Sequence, residues 1–257
     1  MSESEEMVII LTGASRGIGL ATAHHLLSHS HKLVVIARTH AALDQLHFQY
    51  GSERVEVLAG DLAADEALAA RAVHLAVERW GRLDALVVNH GSLEPVKKVA
   101  DASVAEWRAA FEGGVFSVVG LIQASLPALR KTSGRIILTS SGASISAYTG
   151  WAAYGSSKAV LNHLALTLAV EEPNVTTVSV RPGVVDTEMQ REIREVHAQA
   201  MSEKDREKFQ GLKREGQLLR PEQPGHVIAR LAVGAGRELS GRFLSWNDEA
   251  LGAFQED

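Results

Sequence analysis

The sequence contains no cysteine, and only six of its 257 residues are prolines. Without cysteine, the chain can form no disulfide, no thiolate zinc site and no catalytic thiol. It also lacks a strong charge of one sign, because 26 lysines and arginines stand against 31 aspartates and glutamates, which gives a formal net charge of -5. That balance disfavours a polyanionic partner, so we expect no nucleic-acid ligand.

Long apolar runs are missing as well. None approaches the roughly 18 residues that a membrane-spanning helix needs. The start of the sequence, Met1 to Glu6, is acidic and polar, whereas a secretory signal begins basic and continues apolar. We therefore expect a cytoplasmic protein without a membrane partner, and the absence of cysteine is compatible with a reducing compartment.

Short runs rich in Val, Ile and Leu alternate with longer stretches of helical period, such as Ala21 to Leu27 and Ala67 to Trp80. This alternation is typical of a parallel sheet covered by helices, joined by right-handed crossovers. We predict one α/β domain over residues 1–257, with a doubly wound parallel sheet of about seven strands. The predicted strands are Val8–Leu11, Leu33–Ile36, Val55–Leu58, Leu83–Val88, Arg135–Leu138, Val175–Val180 and Arg242–Ser245.

Residues 188–222 interrupt this rhythm of strands. They are strongly charged and carry helical period in pieces such as Ile193-Arg194-Glu195-Val196. Long insertions over an α/β sheet often cover binding sites, so we predict an inserted helical flap over the substrate. The alternative interpretation is a solvated helical pair without a function.

A glycine-rich turn, Gly13-Ala14-Ser15-Arg16-Gly17-Ile18-Gly19, directly follows the first predicted strand and precedes helical sequence. In this order, Gly13 makes the tight turn, Gly17 lets backbone approach a pyrophosphate, and Gly19 lets the helix pack on the strand. The N–H groups of the helix N-terminus then face the phosphates. The spacing differs from the commonest dinucleotide fingerprint, and a plain loop with positive φ is the alternative. The order of strand, turn and helix favours a dinucleotide.

The position after the second strand distinguishes the two nicotinamide dinucleotides, because an acidic residue there binds a free ribose hydroxyl and repels a phosphate. This position holds Arg38, and Arg16 in the glycine turn adds a second guanidinium. Planar guanidinium forks suit phosphate oxygens, so we predict NADP(H) as the cofactor. The alternative is that these arginines are solvated surface charges.

Tyr154 and Lys158 are four residues apart and share one face if their segment is helical. A phenol is a weak acid, and a nearby cation lowers its pKa. Ser141 follows the predicted strand that begins at Arg135, where a hydroxyl can hold a substrate carbonyl. Ligands bind at the carboxyl ends of parallel strands, so we expect these three residues and the glycine turn to converge on one crevice. A polar turn and a solvated helix face are the alternatives.

Two other groups of side chains have less specific patterns. Four of the eleven histidines, His24, His25, His29 and His31, lie close together in the sequence. No carboxylate or thiol accompanies them in a ligand pattern, so we interpret them as a solvated helix end and predict no metal site.

Trp151 and Trp246 are interpreted equally well as walls of a substrate pocket or as core residues.

Six motifs occur in one order along the chain: Thr12-Gly13-x-x-x-Gly17-Ile18-Gly19, Asp61-Leu62, Asn89-His90-Gly91, Ser141, Tyr154-x-x-x-Lys158 and Arg181-Pro182-Gly183-x-x-x-Thr187. With these motifs the sequence resembles the classical short-chain dehydrogenase/reductase family, which implies a Rossmann-type fold and NADPH-dependent reduction of a carbonyl.

Four further segments are Leu93-Glu94-Pro95-Val96, Tyr154-Gly155-Ser156-Ser157-Lys158-Ala159-x-Leu161-Asn162-His163, Val185-Asp186-Thr187-x-Met189-Gln190 and Leu244-Ser245-Trp246-Asn247-Asp248. Through them the sequence is similar to the benzil reductase, sepiapterin-reductase-like branch, which implies a ketone or a bulky 1,2-diketone as the small-molecule substrate.

The resemblance also implies residue roles and assembly. Tyr154 gives the proton, Lys158 binds the nicotinamide ribose and lowers the tyrosine pKa, and Ser141 orients the carbonyl. A homodimer or homotetramer forms through the helices that follow Gly91 and Tyr154. The remaining implied cofactor contacts are Asp61 and Leu62 at the adenine, Asn89 and Gly91 at a strand end, Val184 and Thr187 at the nicotinamide carboxamide, and Ser15, Pro182 and Gly183 beside them.

Two positions depart from the family pattern. Gly114 stands where an asparagine is usual, and that asparagine is taken to hold a water that links the catalytic lysine to solvent. His90 stands where alanine is usual, and we interpret it as a packed histidine with a backbone hydrogen bond. An NADP(H)-binding sensor or scaffold with little turnover therefore remains an alternative to an active reductase.

Overall fold

The computed structural model describes residues 6–255 of the chain. Its seven strands are all parallel and form one sheet in the order β3-β2-β1-β4-β5-β6-β7. The predicted α/β class and seven-stranded doubly wound Rossmann-type sheet are thereby confirmed. The strands are β1 Val8–Thr12, β2 Lys32–Ala37, β3 Val55–Ala59, β4 Ala85–Val88, β5 Arg135–Thr139, β6 Thr176–Arg181 and β7 Phe243–Ser245.

Helices cover both faces of the sheet, and alternate residues of the interior strand β1 contribute to the two resulting cores. Ile9 and Leu11 of β1 pack with the first, second and last helices, whereas Val8 and Ile10 pack with the third, fifth and sixth. The helices are α1 Gly17–Ser28, α2 His40–Tyr50, α3 Ala67–Trp80, α4 Val104–Phe111, α5 Ser117–Thr132, α6 Ala152–Glu171, α7 Glu188–Glu195, α8 Glu203–Arg214 and α9 Glu222–Gly234.

One helical stretch differs from the expectation that the chain has no segment of membrane-spanning length. Val104–Thr132, which comprises α4, a π turn at Glu112–Phe116 and α5, is long and apolar enough by length and composition to cross a membrane. The expectation counted uninterrupted apolar runs, and small and polar residues interrupt this stretch. Leu121 and Leu129 are fully buried against the sheet, which is the environment of a core helix.

The predicted flap, residues 188–222, contains α7, a short 3-10 turn and α8, and α9 begins at its last residue. The end of this segment returns to the loop after β6. There the carbonyl of Val184 accepts the N–H of Leu219 at 2.9 Å, and the N–H of Asp186 donates to the carbonyl of Leu219 at 2.8 Å. Both ends of the segment are therefore anchored at the carboxyl end of β6.

The histidine cluster is not the solvated helix end that we predicted. His31 is 3% exposed, and its Nδ1 accepts the backbone N–H of Met7 at 3.2 Å. The His25 ring is half-buried between those of His29 and His226, and burial together with these imidazoles lowers the pKa of His25 to about 3. Residues 6–255 contain no group of three or more His, Asp or Glu side chains that could hold a metal ion.

Candidate active site

The glycine turn between β1 and α1 has the geometry of a phosphate-binding loop. Gly13 and Gly17 adopt φ values of +67° and +55°, which favour glycine. A Cβ on Gly19 would lie 2.1 Å from the carbonyl oxygen of Gly13, so no larger residue fits there. Arg16 precedes α1, and its side chain does not cap the N–H groups of the first turn. This cradle with uncapped N–H donors fits a dinucleotide pyrophosphate.

Thr12 ties the glycine turn to the end of β4. Its Oγ1 accepts the backbone N–H groups of Asn89 and His90 at 3.0 and 3.3 Å. The side-chain amide of Asn89 donates to the carbonyl of Gly13 at 3.3 Å. Asn89 therefore lies against the predicted cofactor loop, at the strand end that the resemblance assigns to it.

The loop after β6 forms a second wall beside the turn. A Cβ on Gly17 would lie 3.0 Å from Cγ2 of Thr187, and the Thr187 hydroxyl caps α7 by accepting the N–H of Gln190 at 3.4 Å. A Cβ on Gly183, whose φ is +83°, would lie 2.6 Å from Leu219. Pro182 is buried and Val184 is half-buried in the same loop. The structure thus brings Thr187 of the β6 loop against Gly17 of the glycine turn.

The residues predicted for the adenine side follow two neighbouring strands. Arg38 is exposed directly after β2, and Asp61 and Leu62 follow β3. The carboxylate of Asp61 accepts the N–H of Ala63 at 2.9 Å, which shapes the loop. Arg16 and Arg38 are both exposed, and neither forms an ion pair within residues 6–255. Both guanidinium groups are therefore accessible to a phosphate.

The three predicted catalytic residues converge at the carboxyl end of β5. Tyr154 and Lys158 on α6 are 9% and 6% exposed, and Nζ of Lys158 lies 5.9 Å from the phenol ring centroid. Ser141 lies close enough to the phenol of Tyr154 to lower its pKa, and its Oγ accepts the N–H of Ala143 at 3.1 Å. The ammonium of Lys158 donates to the carbonyl of Thr139 at 2.8 Å, and a Cβ on Gly91 would lie 3.3 Å from it. The fold therefore brings Ser141, Tyr154 and Lys158 together at this strand end.

The electrostatics of Tyr154 and Lys158 differ from one expectation. Burial raises the pKa of Tyr154, against an opposing effect of Ser141. The net direction for this phenol is therefore upward, and the predicted lowering by Lys158 stays a prediction for the reacting complex. Burial also lowers the pKa of Lys158 to about 8. At neutral pH the phenol is a neutral acid beside a buried cation.

His90 is packed in the interior, as predicted, and its ring also joins a chain of hydroxyl groups. Its Nδ1 lies 2.7 Å from Oγ1 of Thr12, and its Nε2 lies 3.1 Å from Oγ of Ser117, which donates to the carbonyl of Gly113 at 2.8 Å. Burial and the charge of Lys158 lower the pKa of His90 to about 4. The ring is therefore neutral, and it connects β1 to the π turn.

An aromatic wall packs against Tyr154, and its central residue, Phe209, was not identified from the sequence. The ring of Trp151 stacks on Phe209 with 5.3 Å between centroids and meets Tyr154 edge-on at 6.0 Å. Phe209 lies on α8 of the flap, and Tyr148 packs against both rings. Phe209 is the one aromatic residue in the charged sequence of α8. An isolated aromatic residue in such a sequence is the signal that could have identified it as a buried contact.

Polar contacts also attach α8 to this wall. The ammonium of Lys208 donates to the hydroxyl of Tyr148 at 2.8 Å, and the carboxylate of Asp205 accepts the N–H of Thr149 at 3.1 Å. Trp151 packs in the buried cluster that contains Tyr154, whereas Trp246 packs against the sheet core and lies beside Gly183 of the β6 loop.

Comparison with known proteins gives extensive similarity. The model of the short chain dehydrogenase family matches residues 7–198. A benzil reductase ((S)-benzoin forming) of Saccharomyces cerevisiae, IRC24, is 40% identical over 260 residues, which cover 96% of this chain and 98% of the relative. The crystal structure of YIR035C, a short-chain dehydrogenase/reductase from the same yeast, superposes with a TM-score of 0.95 at 40% identity, over 97% of this chain and 100% of that one. Another yeast structure, of a cytoplasmic protein with unknown function, gives a TM-score of 0.83 at 39% identity, with 97% and 100% covered.

Proposed function

The chain belongs to the short-chain dehydrogenase/reductase family of oxidoreductases, and from that premise we propose that it is an NADPH-dependent carbonyl reductase. Its substrate is a ketone or a benzil-like 1,2-diketone, which it converts to an alcohol by hydride transfer. One observation carries the proposal: the buried phenol of Tyr154 lies beside the Lys158 ammonium, with 5.9 Å between Nζ and the ring centroid, at the strand end that also holds Ser141. This arrangement supplies a proton donor at the end of the strands where α/β proteins bind ligands.

The protein's side chains have separate tasks in this reaction. The cofactor, when bound along the glycine turn, supplies the hydride. Ser141 holds the substrate oxygen, and Tyr154 gives that oxygen its phenolic proton. The buried ammonium of Lys158 stabilises the phenolate that remains, because charges interact strongly where water is excluded. The aromatic wall and α8 exclude water from this proton transfer.

The proposed preference for NADP(H) rests on the two exposed guanidinium groups. Arg38 follows β2, the position that contacts the adenosine ribose in dinucleotide-binding folds, and Arg16 lies in the glycine turn. A 2'-phosphate accepts charge-assisted hydrogen bonds from such groups. An acidic residue at the position of Arg38 would instead repel the phosphate.

Replacing Arg38 by Asp is expected to lower kcat/KM for NADPH by about 10- to 100-fold relative to NADH. This fold-change corresponds to the free energy of the charge-assisted hydrogen bonds that are lost. Steady-state kinetics with both dinucleotides measures the ratio. Arg242→Asp makes the same change of charge at an exposed position before β7, away from the site, and should keep the preference. An undiminished NADPH preference in R38D would contradict the assignment.

The apolar surroundings of Tyr154 support an aromatic or bulky substrate. The buried apolar cluster that contains Tyr154 also includes Trp151, Phe209, Leu93 and Ile193. Flat apolar rings pack well against aromatic ketones. The benzil reductase named among the relatives forms (S)-benzoin, and this chain shares 40% of its residues with that protein. We therefore propose aromatic 1,2-diketones as a substrate class.

A cofactor-binding sensor or scaffold remains a second candidate because of Gly114. This glycine lies in the π turn, and a Cβ there would approach Ser157 to 3.2 Å. The buried pair of Tyr154 and Lys158 favours the reductase, since a binding module has no need of a proton donor. NADPH binding without turnover on any carbonyl would favour the sensor.

We also propose that the protein is a cytoplasmic homodimer or homotetramer. Exposed apolar side chains support assembly through α4, α5 and α6: Val104, Phe116, Leu166 and Val170 are each more than half exposed. Multi-angle light scattering measures the mass, and a monomer would contradict the proposal. The yeast structure described as a cytoplasmic protein supports the compartment.

A further inference from the structure

One buried N–H group in the site has no hydrogen-bond partner among the described residues. Trp151 is 6% exposed, and its indole Nε1 makes no hydrogen bond. The other buried side-chain atoms without a partner in residues 6–255 are hydroxyl oxygens, those of Ser125, Thr139 and Thr177. A buried N–H without an acceptor destabilises the folded protein, and natural structures keep few of them. The position of Trp151 therefore requires an explanation.

The surroundings of the indole explain why no side chain accepts its hydrogen bond. One face of the ring stacks on Phe209, and the ring meets Tyr154 edge-on. Tyr148 also packs against the ring, with 4.8 Å between centroids, and its hydroxyl accepts from Lys208 instead. The remaining members of the cluster are aliphatic residues and methionines, such as Val96, Ile193 and Met201. Such side chains provide at most a weak thioether acceptor. The donor is held rigidly in an apolar wall beside the proton-donating phenol.

We propose that the indole N–H of Trp151 donates a hydrogen bond to the second carbonyl oxygen of a 1,2-dicarbonyl substrate. This inference rests on the proposed function, in which Tyr154 and Ser141 hold the carbonyl that is reduced. The reduced carbon gains a hydride from the dinucleotide and its oxygen gains the proton of Tyr154, while the second carbonyl is unchanged. Trp151 is thus a specificity-determining residue.

The positions of the two carbonyl oxygens in a vicinal diketone explain why the indole N–H of Trp151 would select this substrate. The two oxygens of a vicinal diketone are on adjacent carbons, so when one oxygen lies at the phenol the other lies close by. A ketone with a methylene in place of the second carbonyl leaves the indole N–H unpaired. Sites built to hydrogen-bond a substrate group discriminate strongly against an analogue that lacks it.

The first test compares benzil with deoxybenzoin, in which one carbonyl is a methylene. In W151F the ratio of kcat/KM for benzil to that for deoxybenzoin should fall by about 10-fold or more relative to the wild type. Comparing the ratio between enzymes cancels the greater intrinsic reactivity of the diketone. W80F removes an indole N–H that bonds the carbonyl of Glu53, before β3 and at the opposite end of the sheet, and should leave the ratio unchanged.

A second measurement uses the wild-type protein alone. The chain has four tryptophans, so four indole N–H signals are expected in a ¹H–¹⁵N spectrum. In the unreactive complex with NADP⁺, benzil should move the Trp151 signal downfield, and deoxybenzoin should not. This readout decides the question if W151F fails to fold.

The outcomes separate the two proposals. Equal losses for both ketones in W151F, or a Trp151 signal that benzil leaves in place, would overturn the role of the indole while the reductase assignment stands. A wild-type enzyme that reduces neither ketone would contradict the proposed function. The effect of benzil on the indole signal would then still test the donor directly.

Discussion

Tyr154→Phe is expected to lower the rate of NADPH oxidation with a reducible ketone by about 100- to 10,000-fold, the contribution of a positioned general acid. The substitution removes only the phenolic oxygen. The ring still fills its buried place against Trp151, so the fold and the cofactor site should persist. Spectrophotometric kinetics with benzil as substrate measures the rate, and fluorescence titration with NADPH measures binding.

The three tyrosines of the chain provide a matched control. Tyr50 lies at the end of α2, where its hydroxyl pairs with Nδ1 of His24 at 3.0 Å. Tyr50→Phe removes the same atom away from the site and should leave the rate unchanged. A Tyr154→Phe enzyme with near wild-type turnover would show that another group donates the proton.

The Lys158→Met variant is expected to lose most of its turnover and to unfold at a higher temperature than the wild type. Burial lowers the pKa of this lysine from 10.5 to about 8, which corresponds to about 3 kcal/mol of unfavourable desolvation at neutral pH. The variant also loses the hydrogen bond to the carbonyl of Thr139, which reduces the gain in stability by about 1 kcal/mol. The remaining gain corresponds to a melting temperature about 4 to 8 °C higher.

The pH dependence gives this prediction a definite sign. Between pH 8 and 10.5 the unfolded chain keeps the Lys158 proton while the folded protein has released it. Wild-type stability contributed by this group therefore rises with pH across that window, and the advantage of the methionine variant shrinks. Thermal unfolding at pH 7 and pH 10 measures the two differences.

Lys98→Met changes an exposed lysine and should alter neither stability nor turnover appreciably. Lys158→Met with a lower melting temperature than the wild type at pH 7 would show that the buried ammonium stabilises the fold. Retained turnover in that variant would remove Lys158 from the proposed mechanism.

The sequence by itself determined the layout of the protein. Alternation of apolar runs with helical stretches predicted the seven parallel strands, and the helix over Ala67–Trp80 matches its predicted range. Glycine spacing placed the turn after β1, where Gly19 leaves no room for a Cβ. Periodicity and turn chemistry act between residues close in the chain, so they can be read without knowledge of the packing.

Only the tertiary structure decided the features that depend on distant residues. The burial of His31, the hydroxyl partners of His90, and the stacking of Phe209 on Trp151 all join segments far apart in the sequence. The same holds for Tyr154, whose pKa rises because surrounding elements remove water from the phenol. Desolvation and ring packing depend on the complete set of neighbours around a side chain, and only the folded chain brings those neighbours together.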